Sequence, residues 1–377
     1  LRRQRQMCIR DRYIGIMSGT SLDGIDLVLV RFGQRRQDKL QPELLDSLLC
    51  PFSELLRQQL SQLAQSGPNE LELMGLVEQQ LALAYADAVK QLLAKAKVAA
   101  EQISAIGCHG QTIRHRPYAQ FPFTYQIGDM FRLAAQTQIR VIADFRRKDM
   151  AYGGQGAPLV PAFHKAIFAK PDSYRAILNI GGIANVTLLQ PNMPVRGFDT
   201  GPGNGLMDNW IQQQGLGLYD KDGLYAASGV VQQDLLANLL SDPYFQLQGP
   251  KSTGREYFNP QWLAHKLLAN TYAAADVQRT LTRFTAESIK IALVNEAIEE
   301  LFVCGGGAYN KVLFSDLQQL LPAVRLQQTA SLGIKADDVE AMAFAWLAYA
   351  YDHKIPGNIP EVTGARKAVV LGAEFTY

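Results

Sequence analysis

Two apolar, strand-like runs near the front of the chain, Tyr13 to Met17 and Ile25 to Phe32, are separated by a turn of little bulk, Gly19-Thr20-Ser21-Leu22-Asp23-Gly24. Small residues with exposed amides, two hydroxyls and one carboxylate suit such a turn to gripping phosphate and positioning a divalent metal. A second segment of the same kind lies far downstream, Ala176 to Leu189, turning at Gly181-Gly182. Two glycine hairpins, each able to open a domain, point to a nucleotide held between two related halves.

Length agrees with duplication. At 377 residues the chain exceeds one typical hydrophobic core, so two domains are expected. The formal charge of +2 is set by the first twelve residues, where Arg2, Arg3, Arg5, Arg10 and Arg12 face only Asp11. The rest is slightly acidic and carries no lysine-arginine stripe, which argues against nucleic acid as the main partner. Residues 1–12 lack apolar periodicity and are expected to be a non-native or disordered prefix. Ser18, Thr20, Ser21, Asp23 and Asp26 would interrupt any secretion-signal core, and no apolar run approaches the ~20 residues that span a bilayer. Cys8, Cys50, Cys108 and Cys304 are scattered without metal-ligand spacing, and the last two each end a strand-like run as small buried thiols. A cytoplasmic protein with no membrane partner is expected.

Along the chain, Leu81, Ala84, Tyr85, Ala88 and Leu92 mark one buried helical face. Ile103 to Cys108 reads as a strand leading into His109-Gly110-Gln111-Thr112. Val141 to Asp144 is another, followed by a glycine-rich loop, Gly153 to Pro158. The second half repeats the plan: the hairpin over 176–189, a strand into Asp199, helices with a stripe at Ile289, Leu293 and Ala297, a strand over 301–304 into Gly305-Gly306-Gly307, and more helices. Met342 to Tyr351 reads as a buried helix. The longest stretch without periodicity, Asp242 to Phe258, is expected to form a functional loop. Strands grouped with crossing helices, twice over, fit an α/β architecture of two sheets with a cleft between them.

Several residues in this frame have the means for chemistry. Asp199, before a glycine-proline turn and an amphipathic helix, is placed to deprotonate water or a sugar hydroxyl; the alternative is an Asx-turn or helix cap. Gly305, Gly306 and Gly307 let backbone approach a flat ring or ribose closely, although glycine turns between strand and helix are common. Asp23, in a turn otherwise made of Gly, Ser, Thr and Leu, suits a magnesium-water shell. Glu340 fits a capping box as well as a substrate contact. Arg146 and Arg147 suit an anionic group of the substrate, or ordinary solvation. His109 and His164 receive no catalytic role.

Taken together, these segments resemble the anhydro-N-acetylmuramic acid kinases of the sugar kinase, heat-shock ATPase and actin superfamily. The resemblance runs from Tyr13 to about Ala373 and rests on MSGTSLDGID (17–26), IGCHGQTIRH (106–115), ADFRRKD (143–149), GGQGAPLVPAFH (153–164), LNIGGIANV (178–186), GFDTGPGN (197–204), GPKSTGRE (249–256), VCGGG (303–307), EAMAFAWLA (340–348) and GNIPEVTGA (357–365). It implies a two-domain, actin-like (ribonuclease H-like) fold with ATP and magnesium in the interdomain cleft. Phosphates would lie against Gly19, Thr20, Ser21, Leu22, Asp23, Gly24, Ile25 and Asp26 and the Gly181-Gly182 turn, adenosine near Gly305 to Gly307, and Asp23 would reach the metal through water. Asp199 would activate water for attack on the anomeric carbon of the 1,6-anhydro sugar while the 6-oxygen takes the γ-phosphoryl group. The products are N-acetylmuramic acid 6-phosphate and ADP, in recycling of cell-wall fragments. Arg146, Arg147 and Glu340 would contact the sugar and its lactyl carboxylate. Lys148 stands where the family's loop carries a third arginine, and lysine lacks the bidentate fork. The family also implies a homodimer.

On this reading an N-terminal domain comprises 13–148 with 358–377, and a C-terminal domain 149–357. The alternatives are another sugar or polyol kinase of the same fold, with Asp199 deprotonating the hydroxyl itself, or an actin-like or chaperone-like ATPase. No client-binding module or polar tail supports the latter.

Overall fold

The structure, a computed structural model, describes residues 11–19, 22–33, 40–247, 251–254, 257–267 and 270–377. Thr20 and Ser21 of the first turn lie outside the described residues, as do most of the expected prefix and Gly249, Pro250, Arg255 and Glu256 of the downstream loop. Arg12, expected in the prefix, already opens the first strand.

The chain divides into two compact units, one running up to Ile167 and resuming over Asp338–Tyr377, the other Phe168–Asp337. In the first, β1 (Arg12–Met17), β2 (Gly24–Phe32) and β3 (Pro42–Pro51) form an antiparallel meander. β4 (Ala105–Cys108) then pairs parallel to β1, and β7 (Val141–Ala143) parallel to β4. β13 (Ala373–Phe375) closes the edge antiparallel to β7, giving the order β13-β7-β4-β1-β2-β3. A separate hairpin, β5 (Gln111–Arg116) and β6 (Phe123–Ile127), follows β4.

Alternation along β1 sends Ile14 and Ile16 to one face and Gly15 to the other. Ile14 and Ile16 join the core built on the helix Glu70–Ala96, where Leu81, Tyr85, Ala88 and Leu92 are buried as their spacing predicts, while Ala84 of the same expected face is only partly buried. On the opposite face Gly15 stands in register with Gly107 of β4. A Cβ at Gly15 would lie 1.9 Å from the Ala341 carbonyl oxygen, and one at Gly107 would lie 2.0 Å from that of Phe344. The paired glycines therefore form a groove that seats the helix Asp338–Asp352 against backbone. That helix is apolar nearly all round, as a fully covered helix must be, and Ala341 to Ala350 are all buried.

This packing accounts for a difference from the expected domain limits at 148 and 358. The helix Asp338–Asp352 belongs to the first unit, where it packs backbone-close on β1 and β4. Helix Val160–Phe168 joins it there, with the Phe163 and Trp346 rings 6.3 Å apart.

The second unit repeats the wiring. β8 (Arg175–Ile180), β9 (Ile183–Leu189) and β10 (Arg196–Pro202) form an antiparallel meander, β11 (Glu300–Cys304) runs parallel to β8, and β12 (Arg325–Gln328) parallel to β11. Its order, β10-β9-β8-β11-β12, matches β3-β2-β1-β4-β7 strand for strand. The helix Ala274–Leu293 packs on β10 and stops at Leu293, so Ala297 is exposed rather than continuing the expected stripe. Two meanders, each extended by parallel strands, are the ribonuclease H-like plan in duplicate.

Candidate active site

In the first unit the opening turn leaves β1 at Met17 and re-enters β2 at Gly24. Buried Ser18 shares a hydrogen bond of 2.7 Å with the Tyr85 hydroxyl, which ties the start of the turn to the core. Gln111 Nε2 donates to the Gly19 carbonyl at 3.2 Å, as does the Leu22 N–H at 3.2 Å. Leu22 has φ of 60°, a left-handed conformation costly for a side-chain-bearing residue. Asp23 is exposed, whereas Ile25 and Asp26 already lie within β2. Gly24 has a packing reason of its own, since a Cβ there would lie 2.5 Å from the Cys50 carbonyl oxygen on β3.

Two of the three expected sugar contacts come together here. Arg146, in the helix Phe145–Ala151, donates from Nε to His109 Nε2 at 2.9 Å and from Nη1 to the Gly156 carbonyl at 3.0 Å. Burial lowers its pKa to about 10, against an opposing pull from the Glu340 carboxylate, so it remains a cation at neutral pH. Glu340 occupies the first turn of Asp338–Asp352. Arg147 does not join them: it is exposed and pairs with Asp144, Nε to Oδ1 at 2.7 Å. Lys148 is exposed as well.

Arg146 is held from a second layer. The fully buried Asp149 accepts the Gly156 N–H at 2.8 Å, Asn358 Nδ2 at 2.7 Å and the Thr363 hydroxyl at 2.8 Å. The motifs at 106–115, 143–149, 153–164 and 357–365 therefore each contribute a residue to the network around this guanidinium: His109, Asp149, Gly156, and Asn358 with Thr363. His109, which like His164 has no catalytic role on the sequence reading, is the acceptor for Arg146 Nε. Burial and the neighbouring Arg146 hold it well below the usual histidine pKa, hence neutral and able to accept.

In the second unit the glycine turn between β8 and β9 is braced by the turn after β10. The Gly182 carbonyl accepts the N–H groups of Gly203 (3.0 Å) and Gly205 (3.1 Å), and the Gly181 carbonyl that of Asn204 (2.7 Å). A Cβ at Gly203 would lie 2.2 Å from the Gly181 oxygen, so glycine is obligatory at that approach. Gly305, with φ of 76°, sits against Asn179 and Ile180, and Gly307 against Ile180 and Asn204. The three glycine segments thus adjoin one another where β8 and β11 end. Beside them is a cavity of about 270 Å³ lined in part by Ala308, Tyr309, Lys311 and Gln328.

Asp199 lies on the same sheet. The sequence placed it at a strand end, whereas β10 continues to Pro202, with a bulge between Asp199 and Gly201. Bulges re-aim side chains next to functional sites. The following helix, Gly205–Gln213, has Asn204 at its N-cap, so Asp199 does not serve as that cap. Its N–H donates to the Lys251 carbonyl (2.9 Å), its carbonyl accepts the Tyr244 hydroxyl (2.7 Å), and its Oδ2 accepts the Thr253 N–H (2.9 Å). Burial and the nearby Asp199 charge raise the Tyr244 pKa, which keeps that hydroxyl a donor. Asp242, itself buried, accepts from Tyr257 and from Trp262 Nε1, both at 2.9 Å, and so anchors this region. The loop expected from the lack of periodicity over 242–258 supplies, in its described part, the brace of Asp199.

Among the described residues, no group of three or more His, Cys, Asp or Glu side chains is placed to hold a metal ion. No described helix is long and apolar enough to cross a membrane.

A duplicated meander with parallel extensions and glycine turns at the strand ends define an actin-like, ribonuclease H-like fold. The family model described as anhydro-N-acetylmuramic acid kinase matches residues 11–377, and the chain belongs to that family. Curated relatives carrying that name include proteins of Pasteurella multocida, 51% identical over 367 residues and covering 96% of each chain, and of Shewanella woodyi, 51% identical over 369 residues and covering 97% of this chain and 99% of that one. The Haemophilus influenzae protein of the same name is 50% identical over 378 residues, covering 96% and 97%.

Proposed function

We infer that this protein is the kinase its family name describes: it opens 1,6-anhydro-N-acetylmuramic acid with water and phosphorylates the 6-oxygen from ATP, in cell-wall recycling and amino sugar metabolism. The observation that carries this is the family match over residues 11–377, joined by relatives about half identical along nearly their whole length.

In the reaction, water adds to the anomeric carbon and the bond from that carbon to the bridging 6-oxygen breaks. The 6-oxygen takes the γ-phosphoryl group, ADP leaves, and one water proton passes to Asp199 as general base. Opening the bridged acetal releases ring strain, and phosphoryl transfer asks mainly for positioning and charge neutralisation. Asp199 is suited to the base role because its backbone is pinned at both N–H and C=O and one carboxylate oxygen is already engaged.

We assign the triphosphate to the turn 19–26 and to Gly181-Gly182, and adenosine to Gly305–Gly307 with the cavity beside Tyr309. Magnesium, when bound with ATP, would neutralise phosphate charge, with Asp23 holding it through water. Arg146 would receive the lactyl carboxylate and Glu340 a sugar hydroxyl. Arg147 would have to leave Asp144, with which it is paired, to contact the sugar. A homodimer resident in the cytoplasm is part of the same reading.

The test is a coupled assay for ADP with purified sugar. Release of ADP that depends on the anhydro sugar, with a 6-phosphate product incorporating solvent oxygen at C1, is the expected result. Steady ATP hydrolysis in the absence of sugar would overturn it.

A further inference from the structure

Resting on the assignment of Arg146 to the lactyl carboxylate, we propose that His109 is a positioning residue for substrate recognition, fixing the Arg146 guanidinium so that its Nη edge meets that carboxylate.

A guanidinium has five N–H donors in a rigid fork. Nε–H is committed to His109 Nε2 and one Nη1 hydrogen to the Gly156 carbonyl. Neither hydrogen on Nη2 is bound by a described residue, and one on Nη1 remains. These lie on the edge that grips a carboxylate through two parallel hydrogen bonds. Rotation about the arginine side chain would break the Nε bond first, so His109 sets the angle at which the fork faces its ligand.

The ordinary alternative is that His109 is a core aromatic filling space against Phe344, whose ring centroid lies 4.8 Å away. The ring's other nitrogen argues against this. Because Nε2 accepts, the proton sits on Nδ1, and among the described residues that buried atom finds no well-formed hydrogen bond, only the weak pull of the Gly110 backbone. A phenylalanine would fill the same space without burying a poorly matched donor. What histidine adds over an aromatic filler is the acceptor that meets Arg146 Nε. The strand end explains the placement: Gly107, one residue before Cys108, brings β4 against the Phe344 backbone, so the residue leaving the strand falls between that ring and Arg146.

The experiment compares two sugars, 1,6-anhydro-N-acetylmuramic acid and its lactyl methylamide, on wild type, His109→Phe, His109→Gln and Arg146→Lys. His109→Phe should raise KM for the acid roughly 10-fold or more, with kcat and the KM for ATP within about threefold, and should leave the amide unaffected. His109→Gln, which restores an acceptor, should recover most of the preference for the acid. Equal losses on acid and amide in His109→Phe would make the residue merely structural and overturn the proposal. If that variant does not fold, His109→Gln decides alone: retained preference supports the role, and uniform loss on both sugars removes it. Arg146→Lys separates the two levels. An undiminished preference for the acid there would overturn the carboxylate assignment itself, whatever His109 does.

Discussion

The Asp199 carboxylate accepts the backbone N–H of Thr253 at 2.9 Å, across 54 residues of sequence. The same short segment takes the Asp199 N–H on the Lys251 carbonyl. A carboxylate held this way keeps one oxygen occupied and the other oriented. In the second unit, therefore, the candidate base and the loop after Asp242 form one device.

Replacing the carboxylate by its amide isolates the base. Asp199→Asn preserves shape but removes proton acceptance, so kcat should fall by about 10²–10⁴-fold, the range for a lost general base. ATP affinity measured by calorimetry should stay within about twofold. Retained turnover would take Asp199 out of the reaction.

Tyr244→Phe tests the brace. The ring keeps its edge contacts with Phe245 and Phe258, and only the hydroxyl bond to the Asp199 carbonyl is lost. Stability measured by denaturant should drop by about 1 kcal/mol, the net worth of one hydrogen bond. Turnover should fall several-fold with little change in either KM, because the base is displaced rather than any binding group. A change in stability with turnover intact would limit Tyr244 to folding.

The paired glycines of β1 and β4 allow no side chain. Gly15→Ala would set a Cβ 1.9 Å from the Ala341 oxygen, where the obstacle is helix backbone that cannot rotate away. Overpacking of this kind costs about 1–3 kcal/mol or more. A lowered midpoint in urea, or failure to recover folded protein, is expected, and a variant as stable as wild type would contradict the packing.

Two buried histidines make stability depend on pH. Burial holds His109 well below the ordinary value, with Arg146 adding to the effect, and holds His164 down to about 3. Both stay neutral in the folded state while the unfolded chain takes up protons below about pH 6.5, so the unfolded state binds more protons there and stability falls with acidification. Each contributes a slope of up to ~1.4 kcal/mol per pH unit below that point, lost as pH drops toward the folded-state pKa. Denaturation midpoints should be flat from pH 7 to 8 and decline from pH 6.5 to 5. His164→Asn should flatten the decline, and an unchanged slope would show that His164 titrates normally.

What the sequence determined by itself was local and periodic. Alternation and helical spacing are properties of neighbouring residues, so the hairpin over 176–189, the stripe at Leu81, Tyr85, Ala88 and Leu92, and the buried helix over 342–351 could all be read directly. The family, too, was legible, because its motifs are contiguous strings. Tertiary structure alone decided which unit owns the helix Asp338–Asp352, since the groove at Gly15 and Gly107 exists only once two strands pair in register. It alone separated Arg146 from Arg147, adjacent in sequence yet facing His109 and Asp144 respectively. It alone gave the segment after Lys251 its meaning. Hydrogen bonds spanning dozens to hundreds of residues leave no periodic trace in the chain, so the atoms that orient Arg146 and Asp199 became apparent only when folding brought them within 3 Å.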